Sequence, residues 1–210
     1  MDLTFYTNPM SRGRIARWML EETGATYDTV YLSYGGTMKA PDYLALNPMG
    51  KVPALKHGDT VVTECAAICA YLADAFPEAG LAPPTAQRGA YYRWLFFGAG
   101  PLESATTNKA LQVSTDGQQQ MVGYGDFATA YATLVTAVSE HPYLCGDAFT
   151  AADVYIGSQI GWGLQFGTLP AHPALAAYNQ RVHDRPAYER ATALDDAAMA
   201  EHGPPPPSAQ

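Results

Sequence analysis

Three short stretches of this 210-residue chain carry residues whose types and spacing could do chemistry: Ser11, the segment Asn47 to Leu55, and Glu64-Cys65. Pro53 has no amide hydrogen, so between Val52 and Ala54-Leu55 it must begin a strand or lie at its edge. The Val52 amide and carbonyl are then left for another partner, and a cis Val52-Pro53 bond would aim them outward. Glu64 and Cys65 open a helical pattern whose first amides and positive dipole end attract a carboxylate, while the Glu64 side chain can hold an ammonium. Together these groups describe a backbone-reading site for a small peptide. The same pattern also fits an ordinary Pro-initiated edge strand followed by an ordinary helix start.

The elements that must position these groups can be drawn from periodicity. Leu3 to Thr7 alternates as a strand, Asn8-Pro9-Met10 breaks it, and Ile15, Trp18 and Met19 have helical spacing up to Gly24. Ser11 is a natural N-cap; Arg14 rather than Glu or Gln stands three residues on, so no capping box engages the hydroxyl. It either faces a ligand or simply caps the helix. Tyr27 to Leu32 forms a second strand, and Lys51 to Leu55 with Thr60 to Val62 forms a hairpin around Lys56-His57-Gly58-Asp59. This βαβ then ββα order resembles the thioredoxin-like fold.

Pro and Gly between Phe76 and Pro84 mark a linker, which divides the chain into a domain over 1–77, a linker over 78–85 and an all-helical domain over 86–200. Helices are expected at about 85–109 with a kink or break at Pro101, at 118–140, 151–165 and 174–184. The sharpest start signal is Phe149-Thr150-Ala151-Ala152-Asp153-Val154, where Thr150 can cap, Asp153 can reach back to its amide and Phe149 can staple to Val154. The end of the chain, 201–210 with four consecutive prolines, reads as a disordered tail.

Composition narrows the function classes. A net charge of -8 disfavours nucleic acid and anionic membranes, which need clustered Lys or Arg. No apolar run is long enough to span a bilayer, and Met1-Asp2-Leu3 leads into a strand rather than a signal peptide, so the expected location is cytoplasmic. Three cysteines argue against a disulfide scaffold, and with no His cluster beside Cys65 and Cys69 no metal site is expected.

The Val52-Pro53 and Glu64 segments resemble the glutathione-binding half of the cytosolic glutathione transferases. The stretch His141 to Asp147, the Thr150/Asp153 box and Arg185-Pro186-Ala187-Tyr188 resemble features of that family's helical half, so the resemblance runs to about Leu194. It implies that Val52-Pro53 pairs with the cysteinyl backbone of glutathione, and that Glu64 and the residue after it grip its γ-glutamyl end. Cys65 stands where the family usually has Ser, and a thiol is the weaker hydrogen bonder. Lys39 and Lys51 become candidates for the glycine-end carboxylate. Met10, Tyr92, Trp162 and Phe166 become candidates for the wall of an electrophile pocket. The resemblance further implies a homodimer and a detoxifying role.

A free thiol is mostly protonated at neutral pH, so an enzyme that uses glutathione must stabilise its thiolate. Ser11 at a helix start offers a hydroxyl donor together with the helix dipole. Tyr6 is its rival, because some branches of the family use a Tyr near the end of the first strand, and Arg12 could add positive potential. Other glutathione chemistry on the same scaffold (peroxide reduction, isomerisation, dehalogenation) or a non-catalytic binding role would fit the same residues.

Overall fold

The computed structural model describes residues 2–203, which fall into two units. Among them the first takes in 2–79 together with 186–203, and the second is Gly80–Arg185. The tail from 204 lies outside the described residues.

The first unit is thioredoxin-like. Strand β1 (Leu3–Thr7) leads into helix α1 (Gly13–Thr23) and strand β2 (Asp28–Tyr31); after helix α2 (Pro41–Leu46) come strands β3 (Ala54–His57) and β4 (Thr60–Thr63) and helix α3 (Cys65–Ala75). The sheet order is β2-β1-β3-β4. β2 runs parallel to β1, whereas β3 runs antiparallel to both β1 and β4. β1 is central, so Leu3, Phe5 and Thr7 are all buried. On one side of the sheet Leu32, Met38, Tyr43 and Ala54 form a cluster to which Tyr6, Leu46 and Val52 add partly buried surface. The hairpin turns later than the sequence suggested: Lys56 and His57 are paired strand residues, and only Gly58 and Asp59 turn. The short α2 has Pro41 at its first turn, where a missing amide hydrogen costs nothing.

The last helix, α9 (Pro186–His202), belongs with this unit. The sequence reading carried the helical domain to 200 and began a tail at 201; α9 instead packs on α1 and runs through His202. A buried charge explains the pairing. Arg17 lies on the buried face of α1, and its Nε donates to Asp195 Oδ1 at 2.7 Å, with both side chains almost wholly buried. The same guanidinium donates to the hydroxyls of Tyr27 and Tyr31, at 3.1 Å each. A buried guanidinium without its carboxylate would be costly, so Asp195 fixes where α9 must lie. Trp18 against Tyr188 adds an edge-to-face contact at 5.0 Å.

The second unit is all-helical. Helix α4 (Gly89–Phe97) passes through a widened turn at Gly98–Leu102 into α5 (Glu103–Ala110); Pro101, lacking an amide hydrogen, sits in that turn. Helices α6 (Phe127–Glu140), α7 (Ala151–Gln165) and α8 (Pro173–His183) come next. α6 starts nine residues later than its hydrophobic pattern suggested. Gly123 and Gly125 interrupt the earlier stretch, and Asp126 makes the cap by accepting from Thr129 N at 2.7 Å. The capping box forms at α7: Asp153 accepts from Thr150 N, Thr150 Oγ1, Leu144 N and Tyr178 Oη. Burial pushes the Asp153 carboxyl up against those four bonds. No described helix is long and apolar enough to cross a membrane.

Candidate functional site

The strand register brings the chemistry-bearing residues of the first unit to one end of the sheet. Tyr6 and Thr63 both lie opposite Ala54, and Thr7 lies opposite Tyr31. β1 therefore delivers its turn and Ser11 to the same end at which Val52-Pro53 enters β3 and at which β4 hands over to Glu64. The Val52-Pro53 bond is cis.

Asn8 makes the first turn. Buried, it donates from Nδ2 to Leu32 O at 2.8 Å and accepts at Oδ1 from Met10 N at 2.9 Å, while its carbonyl accepts from Ser11 N at 3.0 Å. Ser11 Oγ donates to that same carbonyl at 2.7 Å and accepts from Gly13 N at 2.9 Å. Ser11 is partly exposed and Arg12 is exposed. Gly13 opens α1 because nothing larger fits: a Cβ there would lie 1.9 Å from Thr7 Oγ1. Tyr6 is partly buried and packs on Tyr43, with ring centroids 5.7 Å apart.

Asn47 makes the second turn in the same way. It too is buried; Oδ1 accepts from Met49 N at 3.1 Å, its carbonyl accepts from Gly50 N at 2.8 Å, and Nδ2 donates to Lys51 O at 2.9 Å. The Tyr43 hydroxyl also donates to Lys51 O. Burial raises the Tyr43 phenol above its ordinary value, so it remains a neutral donor at neutral pH. With the Lys51 carbonyl fastened twice, the plane of the Lys51-Val52 peptide, and with it the Val52 amide, is held, and the ladder itself starts only at Ala54. Neither Asn8 nor Asn47 was singled out from the sequence. Asn before Pro, the common signal for a turn, could have found both.

The two lysines divide. Lys39 Nζ donates to Gly50 O at 2.8 Å and to Met49 O at 3.4 Å, so its ammonium clasps the Asn47 turn. Lys51 is exposed. Glu64, also exposed, is the N-cap residue of α3 with φ +66 and ψ 118, and its side chain makes no cap hydrogen bond to that helix. A non-glycine residue at such a φ costs on the order of 1–3 kcal/mol and persists only where its surroundings fix it. Cys65 is buried, and its thiol lies 3.6 Å from Arg12 O as donor. The sulfur therefore ties the start of α3 to the start of α1, leaving the Cys65 backbone as its contribution at the helix end.

The residues expected to wall an apolar pocket fall in different units. Met10 is in the first and is 54% exposed, whereas Tyr92 on α4, Trp162 on α7 and Phe166 at its C-terminal end are in the second. Tyr92 and Phe166 are exposed and Trp162 is partly buried. Among the described residues no group of three or more His, Cys, Asp or Glu could hold a metal ion.

Residues 1–74 match the family model described as glutathione S-transferase, N-terminal domain. A glutathione S-transferase of Xanthomonas campestris pv. campestris is 38% identical over 157 residues, covering 70% of this chain and 76% of that protein. A maleylacetoacetate isomerase of Pseudomonas aeruginosa is 30% identical over 90% of this chain and 93% of its own length. Among solved structures, a sphingomonad glutathione S-transferase complexed with glutathione superposes with a TM-score of 0.76 at 28% identity, covering 92% of this chain and 98% of that one. With a matching fold in both units and a relative this similar over most of its length, the chain belongs to the glutathione S-transferase family and is a transferase of that family.

Proposed function

We propose that the chain binds glutathione at the sheet end of its first unit, stabilises the thiol as thiolate, and joins that sulfur to a small hydrophobic electrophile. The observation that carries this reading is the convergence of Ser11, Val52-Pro53 and Glu64-Cys65 at one end of the sheet. Val52 presents backbone to the cysteinyl unit, the uncapped start of α3 receives the γ-glutamyl carboxylate, and Glu64 takes the ammonium. Lys51 is the better placed lysine for the glycine end, since Lys39 already holds two carbonyls.

Ser11 is the thiolate donor. Its single hydroxyl proton rests on Asn8 O and can rotate to the sulfur without stranding that carbonyl, which keeps its bond from Ser11 N. The thiol proton leaves to water, the sulfur lone pair forms the bond to carbon, and the electrophile's displaced group departs with its bonding pair. Tyr6 is packed on Tyr43, which favours Ser11 over it, and exposed Arg12 adds positive potential nearby. Met10, Tyr92, Trp162 and Phe166 are the candidates for contact with the electrophile. A homodimeric, cytoplasmic enzyme without a metal, acting in detoxification, completes the reading by family likeness.

The test is calorimetric binding of glutathione combined with a titration of thiolate absorbance in the complex. Ser11→Ala is expected to raise the thiol pKa and slow turnover at neutral pH while leaving affinity within about threefold, whereas Glu64→Gln is expected to weaken binding by about 1–3 kcal/mol. Tyr6→Phe should do little. A titration moved by Tyr6→Phe and not by Ser11→Ala transfers the donor role to Tyr6. The near full-length likeness to a maleylacetoacetate isomerase favours a second reading, glutathione-dependent isomerisation, in which glutathione is regenerated rather than consumed. Loss of glutathione over a complete reaction separates the two.

A further inference from the structure

Arg14 stands where a helix start least favours it. It lies in the first turn of α1, beside the positive end of the helix dipole, and that turn holds no acidic residue. Its charge is balanced from α9 instead, where Nη2 pairs with Asp196 Oδ1 at 2.8 Å. From the same guanidinium plane, Nε donates to the carbonyl of buried Pro9 at 2.6 Å. One rigid fork therefore spans the last helix and the turn that presents Ser11. The ion pair alone does not account for it, because Asp196 is 61% exposed and a pair so open to solvent contributes little. For the turn the effect is specific. The Pro9-Met10 peptide is held at both edges, its carbonyl by Arg14 and its amide by Asn8 Oδ1 at 2.9 Å. A peptide unit is planar, so its tilt sets the Met10 Cα and, one residue on, the direction in which Ser11 Oγ points.

We propose that Arg14 is a positioning residue for Ser11 and that Asp196 of α9 is its anchor, an inference that rests on Ser11 being the thiolate donor. The side chain acts through the backbone: no proton moves through the guanidinium, and the role asks no contact of it with the substrate. Released from Asp196, the guanidinium loses the second point that fixes its plane. The Pro9 carbonyl is then held by a donor that can swing, the Pro9-Met10 peptide tilts, and the Ser11 hydroxyl lies less well on the sulfur. A poorer hydrogen bond to the anion appears as a higher thiol pKa. A direct field effect of the two charges behaves differently. Loss of the Asp196 carboxylate would then lower the thiol pKa, and Arg14→Lys, which keeps the positive charge, would leave it in place.

The experiment titrates bound glutathione by thiolate absorbance in Arg14→Lys, Asp196→Ala, Ser11→Ala and the double variant Arg14→Lys/Ser11→Ala, with glutathione Kd and Tm recorded in each. Arg14→Lys and Asp196→Ala are each expected to raise the bound thiol pKa by about half a unit, a roughly threefold loss of thiolate below that pKa, with Kd within about threefold. In the double variant the titration should stay where Ser11→Ala alone puts it, because Arg14 acts only through that hydroxyl. If Arg14→Lys does not fold, Asp196→Ala, at an exposed position, carries the same readout. A titration moved by Ser11→Ala but by neither Arg14→Lys nor Asp196→Ala overturns the role of Arg14 alone, whatever happens to Tm. A lowered pKa in Asp196→Ala, or additive shifts in the double variant, overturn it as well. A shift in Arg14→Lys without one in Asp196→Ala overturns the anchoring by α9. A titration that Ser11→Ala leaves in place overturns the reading of Ser11 and the role of Arg14 with it.

Discussion

Asn8-Pro9-Met10 and Asn47-Pro48-Met49 are one turn built twice, and the residues directly after each turn decide its use. In both, a buried Asn accepts the amide two residues on at Oδ1, receives the amide three residues on at its carbonyl, and donates from Nδ2 to a further carbonyl, that of Leu32, just past β2, in the first and that of Lys51, four residues on, in the second. After the first comes Ser11 and the start of α1, so the turn presents a hydroxyl beside a helix dipole. After the second comes Gly50 at φ +57, where a Cβ would meet Met38 O at 2.9 Å, and then the fastened Lys51 carbonyl, so the turn presents backbone. The same local chemistry thus serves a side chain in one place and a peptide plane in the other.

Breaking the packing under the first turn is expected to have the largest effect. Gly13→Ala would drive a methyl group into buried Thr7, and α1 would have to move off β1; a loss of about 3 kcal/mol in denaturant unfolding is expected, the upper range for overpacking. Stability within about 0.5 kcal/mol of wild type, the scatter of ordinary surface substitutions, would show that the close approach is not what fixes Ser11.

The turns themselves should then separate by readout. Asn47→Ala removes one of the two donors on Lys51 O and is expected to weaken glutathione about tenfold, or about 1.4 kcal/mol, with the bound thiol pKa unmoved. Asn8→Ala is expected to do the reverse, raising that pKa by about half a unit with affinity within about threefold. If both variants lose affinity and titration together, the two turns are not independent devices.

The second unit sharpens the contrast on a smaller scale through the partly buried His183. Burial lowers His183 from its ordinary 6.5 to about 4. The unfolded chain therefore takes up a proton that the folded chain refuses. The stability that neutral His183 contributes is complete above about pH 6.5 and is lost as pH falls toward 4. His183→Gln should flatten that limb of a Tm-against-pH profile, with little change at about pH 8, where the imidazole is neutral in both states. An unchanged acid limb would place the titration elsewhere.

Much of this was legible in the chain because local chemistry decided it. Pro53 stops a strand whatever surrounds it. Thr150 and Asp153 lie within one turn of the helix they cap, and α7 begins and ends where its pattern puts it, at Ala151 and Gln165. The alternation of Leu3 to Thr7 and the β-branched run of β2 held for the same reason. α6 starts later than the sequence suggests because, although Met121, Val122 and Tyr124 place apolar residues ahead of it, Gly123 and Gly125 weaken a helix there and Asp126 offers the better cap.

What required the tertiary structure was every pairing between residues distant in sequence. Nothing near Arg17 names Asp195, 178 positions away, as its counter-ion, so the return of α9 to the first unit was hidden until burial forced that charge to be neutralised. Cys65 reads in the sequence as a weakened Ser, whereas in the fold its thiol is spent on the Arg12 carbonyl. Lys39 is a free cation on paper and a clasp on two carbonyls in the fold. The sequence determined the turns, the caps and the residue types of the site. Strand register, which carries Ser11, Val52 and Glu64 to a single end of the sheet, is a property of long-range pairing, and only the folded chain could decide it.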